Sequence, residues 1–97
     1  MGAVLAIDQG TSQTKAAVVD PERGILAVAE VPVRPVHRSG GRVEQDPIEL
    51  LDSVKAAGYL AATDAGARID MVALANQGEA VLAWDPRTGD PLSTVLL

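Results

Sequence analysis

Residues 3–8 (AVLAID) form an unbroken apolar run, and residues 14–20 (TKAAVVD) form a second one after a short polar loop. A connection that short joins strands that run antiparallel. The turn Asp20-Pro21-Glu22-Arg23-Gly24 follows, where Pro presets φ and Gly tolerates positive φ. It leads into a third strand, Ile25 to Val33, which Pro32 limits to an edge or an end. The chain therefore opens with a three-stranded antiparallel meander. The continuity of the first run predicts a strand covered on both faces.

Residues 34–45 (RPVHRSGGRVEQ) are polar and glycine-containing and read as a loop. Asp46-Pro47-Ile48-Glu49 then marks a helix start: Asp caps, Pro suits the first helical position, and Glu three residues after the cap completes a capping-box pattern. Ile48, Leu51, Val54, Gly58 and Ala61 recur at helical spacing and predict the face that packs on the sheet, with Gly66 as the stop. Residues 69–76 (IDMVALAN) predict a fourth, buried strand. Glu79 to Trp84 predict a fifth, Asp85 to Gly89 a hairpin turn, and Pro91 to Leu97 a sixth strand. The order is βββαβββ, an α/β chain with no internal repeat or linker.

At 97 residues there is room for one small domain. Hydrophobic residues make up 47 %, yet there is no Phe, one Trp and one Tyr, so the core must be aliphatic. A net charge of −5 argues against nucleic acid or an anionic membrane as partner, though not against a phosphate held locally by backbone dipoles. With no cysteine, disulfides, thiolate zinc sites and thiol catalysis are excluded. No run has the length of a membrane span and the first residues do not read as a signal peptide, so a cytoplasmic location is the expectation. The closing run PLSTVLL stops in mid-strand, which leads us to expect a fragment of a longer protein.

The loop from Asp8 to Lys15 (DQGTSQTK) is the first candidate site. It has neither Walker A spacing nor a GxGxxG turn, and it joins two strands. Gly10 lets backbone approach an anion, and Thr11, Ser12, Gln13 and Thr14 supply donors. Lys15 can neutralise a transferring phosphoryl group and Asp8 can hold magnesium directly or through water. The plain alternative is an ordinary Gly-Thr-Ser hairpin loop with a solvated lysine. Asn76-Gln77-Gly78-Glu79 is the second candidate. It follows a strand end, where ligands collect, and Glu79 can accept paired hydroxyl hydrogen bonds from a polyol; a simple turn explains it equally well. In Val43-Glu44-Gln45-Asp46-Pro47 a helix cap explains Asp46 and Pro47, and no chemistry is assigned. Trp84 reads as core or interface, and His37 as a solvated loop residue.

The segments D-Q-G-T-S-x-x-K, V-E-Q-D-P and N-Q-G-E-x-x-x-x-W-D-x-x-T-G-x-P-L, in this order and spacing, resemble the N-terminus of FGGY carbohydrate kinases, nearest the glycerol kinase-like branch. The resemblance covers essentially the whole chain. It implies a ribonuclease H-like mixed sheet of the actin/hexokinase/Hsp70 superfamily: three antiparallel strands, then a helix and a parallel strand, here with a C-terminal hairpin. It implies that residues 1–97 are part of the N-terminal domain of a two-domain kinase, with the catalytic-base Asp in sequence not present here. The activity implied is ATP-dependent phosphorylation of a sugar or polyol, with a homo-oligomeric full-length protein and a fragment inactive alone. By position, Asp8 would serve magnesium, Gly10, Thr11, Ser12 and Gln13 would surround the ATP phosphates, and Lys15 would stand near the transferred group. Gln77, Gly78 and Glu79 would face the substrate. Glycerol kinases usually carry an arginine where this chain has Gly78, so the resemblance does not carry glycerol over as substrate. The competing expectation is a non-catalytic nucleotide-binding or interaction module of the same superfamily.

Overall fold

The computed structural model describes residues 2–97. β1 (Ala3–Gln9), β2 (Gln13–Asp20) and β3 (Gly24–Pro32) form the expected meander, with Asp8 opposite Lys15 and Lys15 opposite Glu30. The one α-helix among the described residues, α1 (Pro47–Ala65), starts where the capping residues place it. Asp46 accepts the Ile48 N–H at 2.8 Å, and Gly66 ends the helix with φ 60°. The chain then returns as β6 (Ile69–Asn76), parallel to β1, completing a mixed sheet in the order β3-β2-β1-β6.

The predicted loop at 34–45 instead contains two short strands, β4 (Val36–His37) and β5 (Val43–Gln45). These form a second small sheet with β7 (Val95–Leu96), in the order β4-β5-β7. Residues 81–96 do fold back as a hairpin. It is held by isolated bridges, Val81 to Leu96 and Trp84 to Pro91, so the expected fifth strand forms no ladder and the sixth is reduced to two residues.

The core is made of small aliphatic side chains from the sheet and one helix face: Ala3, Ile7, Ala16, Val18, Ala57 and Ala61. Gly58 brings the helix close, since a Cβ there would lie 3.2 Å from Ile7 Cδ1. Four expectations of burial are corrected. Helix residues Ile48 and Leu51 are about half exposed, and the buried face is Ser53, Ala57, Gly58 and Ala61; the inward stripe is rotated toward the small residues, which permit close packing on the sheet. α1 covers β1, β2 and β3 but not β6, so β6 is largely exposed rather than buried, and β1 is covered on the helix side only. Trp84, at 56 % exposed, is not core.

Candidate active site

The parallel pairing of β1 and β6 sets Gln9 beside Asn76, so both strands end at the same edge of the sheet. The loop Gly10–Ser12 and the segment Gln77–Ala80 therefore leave side by side. Ligands of sheets with parallel strands sit at such carboxyl ends, because both connections can close on one ligand.

On the sheet face opposite the helix, Asp8 and Lys15 are cross-strand neighbours. They stand beside a shallow hollow of about 400 Å³ whose lining includes Ala6, Ala17, Ala73 and Ala75. Alanines leave the surface low, so the carboxylate and the ammonium group stand clear of it. Lys15 Nζ lies 3.3 Å from Glu30 Oε1, with both side chains half exposed. Such a surface pair contributes at most about 1 kcal/mol, so Lys15 can turn to another anion at small cost. Among the described residues no trio of His, Cys, Asp or Glu gathers as a metal cage. Magnesium keeps several waters and needs only one or two carboxylates beside phosphate oxygens, and Asp8 alone fits that requirement.

The loop between β1 and β2 is closed by Gly10 N–H donating to the Gln13 carbonyl at 2.9 Å. A Cβ on residue 10 would sit 2.9 Å from that same oxygen, so the tight closure excludes any side chain. Ser12 is tied at its carbonyl, which accepts the Val33 N–H at 3.1 Å, while its side chain is exposed. The fold thus ties this loop down as a tip with the Ser12 hydroxyl on its outside.

Beneath the tip lies a hydrogen-bond ring that the sequence did not reveal. Gln45 Nε2 donates to the Thr11 carbonyl at 2.8 Å, Thr11 Oγ1 donates to Gln77 Oε1 at 3.0 Å, and Gln77 Nε2 donates to Gln45 Oε1 at 2.9 Å. Gln9 joins by donating to the Gly10 carbonyl at 2.7 Å and accepting a longer bond from Gln77 at 3.4 Å. Gln45 is 1 % exposed, and every buried side-chain polar atom among the described residues has a partner.

A second cavity of about 280 Å³ is lined by Thr11, Gln77, Gly78, Glu79, Ala80 and Leu97. A Cβ on Gly78 would meet nothing within 4 Å, and its φ lies outside the left-handed region. The backbone does not require glycine there, and the position is open space beside Glu79. The structure therefore gathers Thr11, Gln77, Gly78 and Glu79 at one cavity and Asp8 and Lys15 at another. Gly10 and Ser12 lie in the tip between β1 and β2 and Gln13 begins β2; none of the three lines either cavity.

Residues 3–97 match the model of the N-terminal domain of the FGGY family of carbohydrate kinases. The chain belongs to the FGGY family. It is 39 % identical over 100 residues to a glycerol kinase from Leptothrix cholodnii, covering all of this chain and 20 % of that protein. It is 39 % identical over 94 residues to an apulose kinase from Pectobacterium atrosepticum, covering 96 % of this chain and 19 % of that one. Among solved structures, xylulose kinase from Rhodospirillum rubrum superposes with a TM-score of 0.89 at 28 % identity, covering 97 % of this chain and 20 % of that one. Plasmodium falciparum glycerol kinase with ADP superposes with a TM-score of 0.86 at 28 % identity, covering 98 % of this chain and 20 % of that one. The fold class is thus the expected one, the mixed sheet of these actin-like sugar kinases. The chain of this FGGY member spans about a fifth of the length of these relatives. No described helix is long and apolar enough to cross a membrane.

Proposed function

We propose that the full-length protein carrying this chain transfers a phosphoryl group from ATP to a hydroxyl of a sugar or polyol in the cytoplasm. This segment, part of the N-terminal domain of a two-domain enzyme, supplies the phosphate and magnesium side of the site and part of the substrate side. One observation carries the reading: in a chain of the FGGY family, the Gly10 tip, the Asp8–Lys15 pair and the Gln77–Glu79 segment all sit at one edge of the sheet.

The Gly10–Gln13 tip binds ATP phosphates through outward backbone N–H groups and the Ser12 hydroxyl, while the Thr11 hydroxyl, whose one hydrogen goes to Gln77, holds the tip in place. Asp8 holds magnesium, which when bound offsets charge on the phosphates. Lys15 leaves Glu30 and stabilises charge on the transferring group. Glu79 accepts hydrogen bonds from substrate hydroxyls, and the space at Gly78 suits an acceptor bulkier than a triol. Phosphoryl transfer needs several groups positioned at once. With the base expected in the second domain, these 97 residues alone are inactive.

The test is a panel of triols, pentuloses and branched ketoses with MgATP and the full-length protein, followed by ADP release. At least one acceptor should drive turnover, and Asp8→Asn and Lys15→Ala should each lower kcat by about 10²–10³ without unfolding the protein. The absence of acceptor-dependent ADP release across the panel, or wild-type kcat in both variants, refutes the reading.

A further inference from the structure

We propose that Gln45 is a positioning residue: it aims the phosphate-side tip and locks it to the substrate-side segment through the ring with Thr11 and Gln77. The inference rests on the kinase reading for its functional readout and on the geometry for its mechanism.

In a trans peptide the C=O and the following N–H point in opposite directions. Gln45 holds the Thr11 carbonyl inward at 2.8 Å, so the Ser12 N–H is turned outward from the buried side of the tip. An anion outside the tip then meets a fixed donor instead of a peptide free to flip. The same amide accepts from Gln77 at 2.9 Å, and Gln77 accepts from Thr11 at 3.0 Å. Each side-chain amide in the ring both donates and accepts, so the ring closes in one sense only. Gln77 directly precedes Gly78 and Glu79, so one buried side chain bonds to both halves of the site.

Gln45 also has little freedom to move. It ends β5, pairs there with Val95 of β7, and is followed at once by Asp46, the N-cap of α1. Its amide is therefore referenced to a helix start and a sheet. The chemistry required is one donor and one acceptor on the same group. Glutamate has the shape but, when ionised, no donor, and it would set negative charge against the Thr11 carbonyl. Methionine fills comparable volume with neither function.

The experiment measures MgADP affinity by calorimetry and, by steady-state kinetics, kcat and the KM for ATP and for the acceptor. It compares the full-length wild type, Gln45→Met and Gln45→Glu. Loss of the ring should raise the MgADP Kd and the KM for ATP about tenfold in Gln45→Met, the scale of one lost hydrogen bond, with a larger loss in Gln45→Glu. A residue needed only for folding would lower the melting temperature and the active fraction but leave Kd and KM of the folded protein unchanged, and that result overturns the proposal. If Gln45→Met does not fold, Gln45→Glu decides by the same criterion. A wild type that binds MgADP but phosphorylates no acceptor refutes the kinase reading while the calorimetric comparison still decides on Gln45. A wild type that binds no nucleotide overturns both.

Discussion

Asp70 shows how one exposed side chain can fix a strand end. Its carboxylate accepts two bonds from the Arg68 guanidinium, at 2.7 and 3.1 Å, and the Gly2 N–H at 2.6 Å, so it ties the start of β6 to the start of β1. The Arg68 hydrogen bonds, and then the Gly2 N–H, lower its pKa from 3.8 to about 2. A carboxyl held below its unfolded value contributes stability that is complete above about pH 4 and is lost as pH falls through about 2. Asp70→Asn should therefore unfold at a lower urea concentration than wild type above pH 4, with the difference closing toward pH 2. Equal midpoints at neutral pH would show that this tie contributes nothing. The site was unevenly legible at this scale. Gly10, Asp8 and Lys15 announce themselves because glycine and charge are out of place beside an apolar strand. Gln45 does not, because a glutamine before a helix cap looks like any polar flank and its burial follows from β5 and β7 meeting far apart in sequence. The preparatory signal was the neighbouring Asp46-Pro47, which fixes where the helix starts and hence where Gln45 stands.

Between elements, a buried hydroxyl pair ties α1 to β2. Ser53 Oγ donates to the Leu50 carbonyl at 2.7 Å, which uses its one hydrogen, so Thr14 must be the donor in the 2.6 Å Thr14–Ser53 bond. Thr14 is fully buried on β2 and Ser53 is 3 % exposed on α1, so the pair sets the helix against the strand that follows the tip. Ser53→Ala strands the Thr14 hydroxyl and should cost about 1–3 kcal/mol, whereas Thr14→Val with Ser53→Ala should recover most of it, because an apolar pair leaves nothing unsatisfied. Hydrogen exchange of the α1 amides measures both, and equal protection loss in the single and double variants would contradict this account. The helix itself was legible to the residue at both ends, since capping is local chemistry. Its partner contacts were not. Glu49 fits a capping box in sequence but turns its carboxylate to the Arg34 N–H at 2.7 Å, because β3 delivers that donor from a distant segment. Likewise β4 and β5 are two and three residues long, too short to show alternation, and only the fold brings β7 to them.

At the scale of the molecule, one helix is asked to cover a four-stranded sheet and covers three strands. The radius of gyration is 15.2 Å, against the roughly 13 Å expected of a compact domain of about 100 residues. The molecule is elongated, 49 × 30 × 20 Å; among the described residues no element covers the sheet face opposite α1, and β6 leaves Met71, Val72 and Leu74 at 55, 60 and 64 % exposure along an unpaired edge. An apolar edge strand with free backbone groups recruits another strand. Asp8 and Lys15 lie on that same open face, so anything that docks there also closes over the proposed phosphate site. Prepared as a separate polypeptide, the 97-residue chain should therefore self-associate as its concentration rises. Leu74→Lys places a charge on the edge without touching the core cluster and should shift the chain toward monomer. Sedimentation velocity across a concentration series separates the outcomes. A wild-type chain that stays monomeric at every concentration, or a Leu74→Lys variant that associates as strongly as wild type, would show that the β6 edge does not drive assembly.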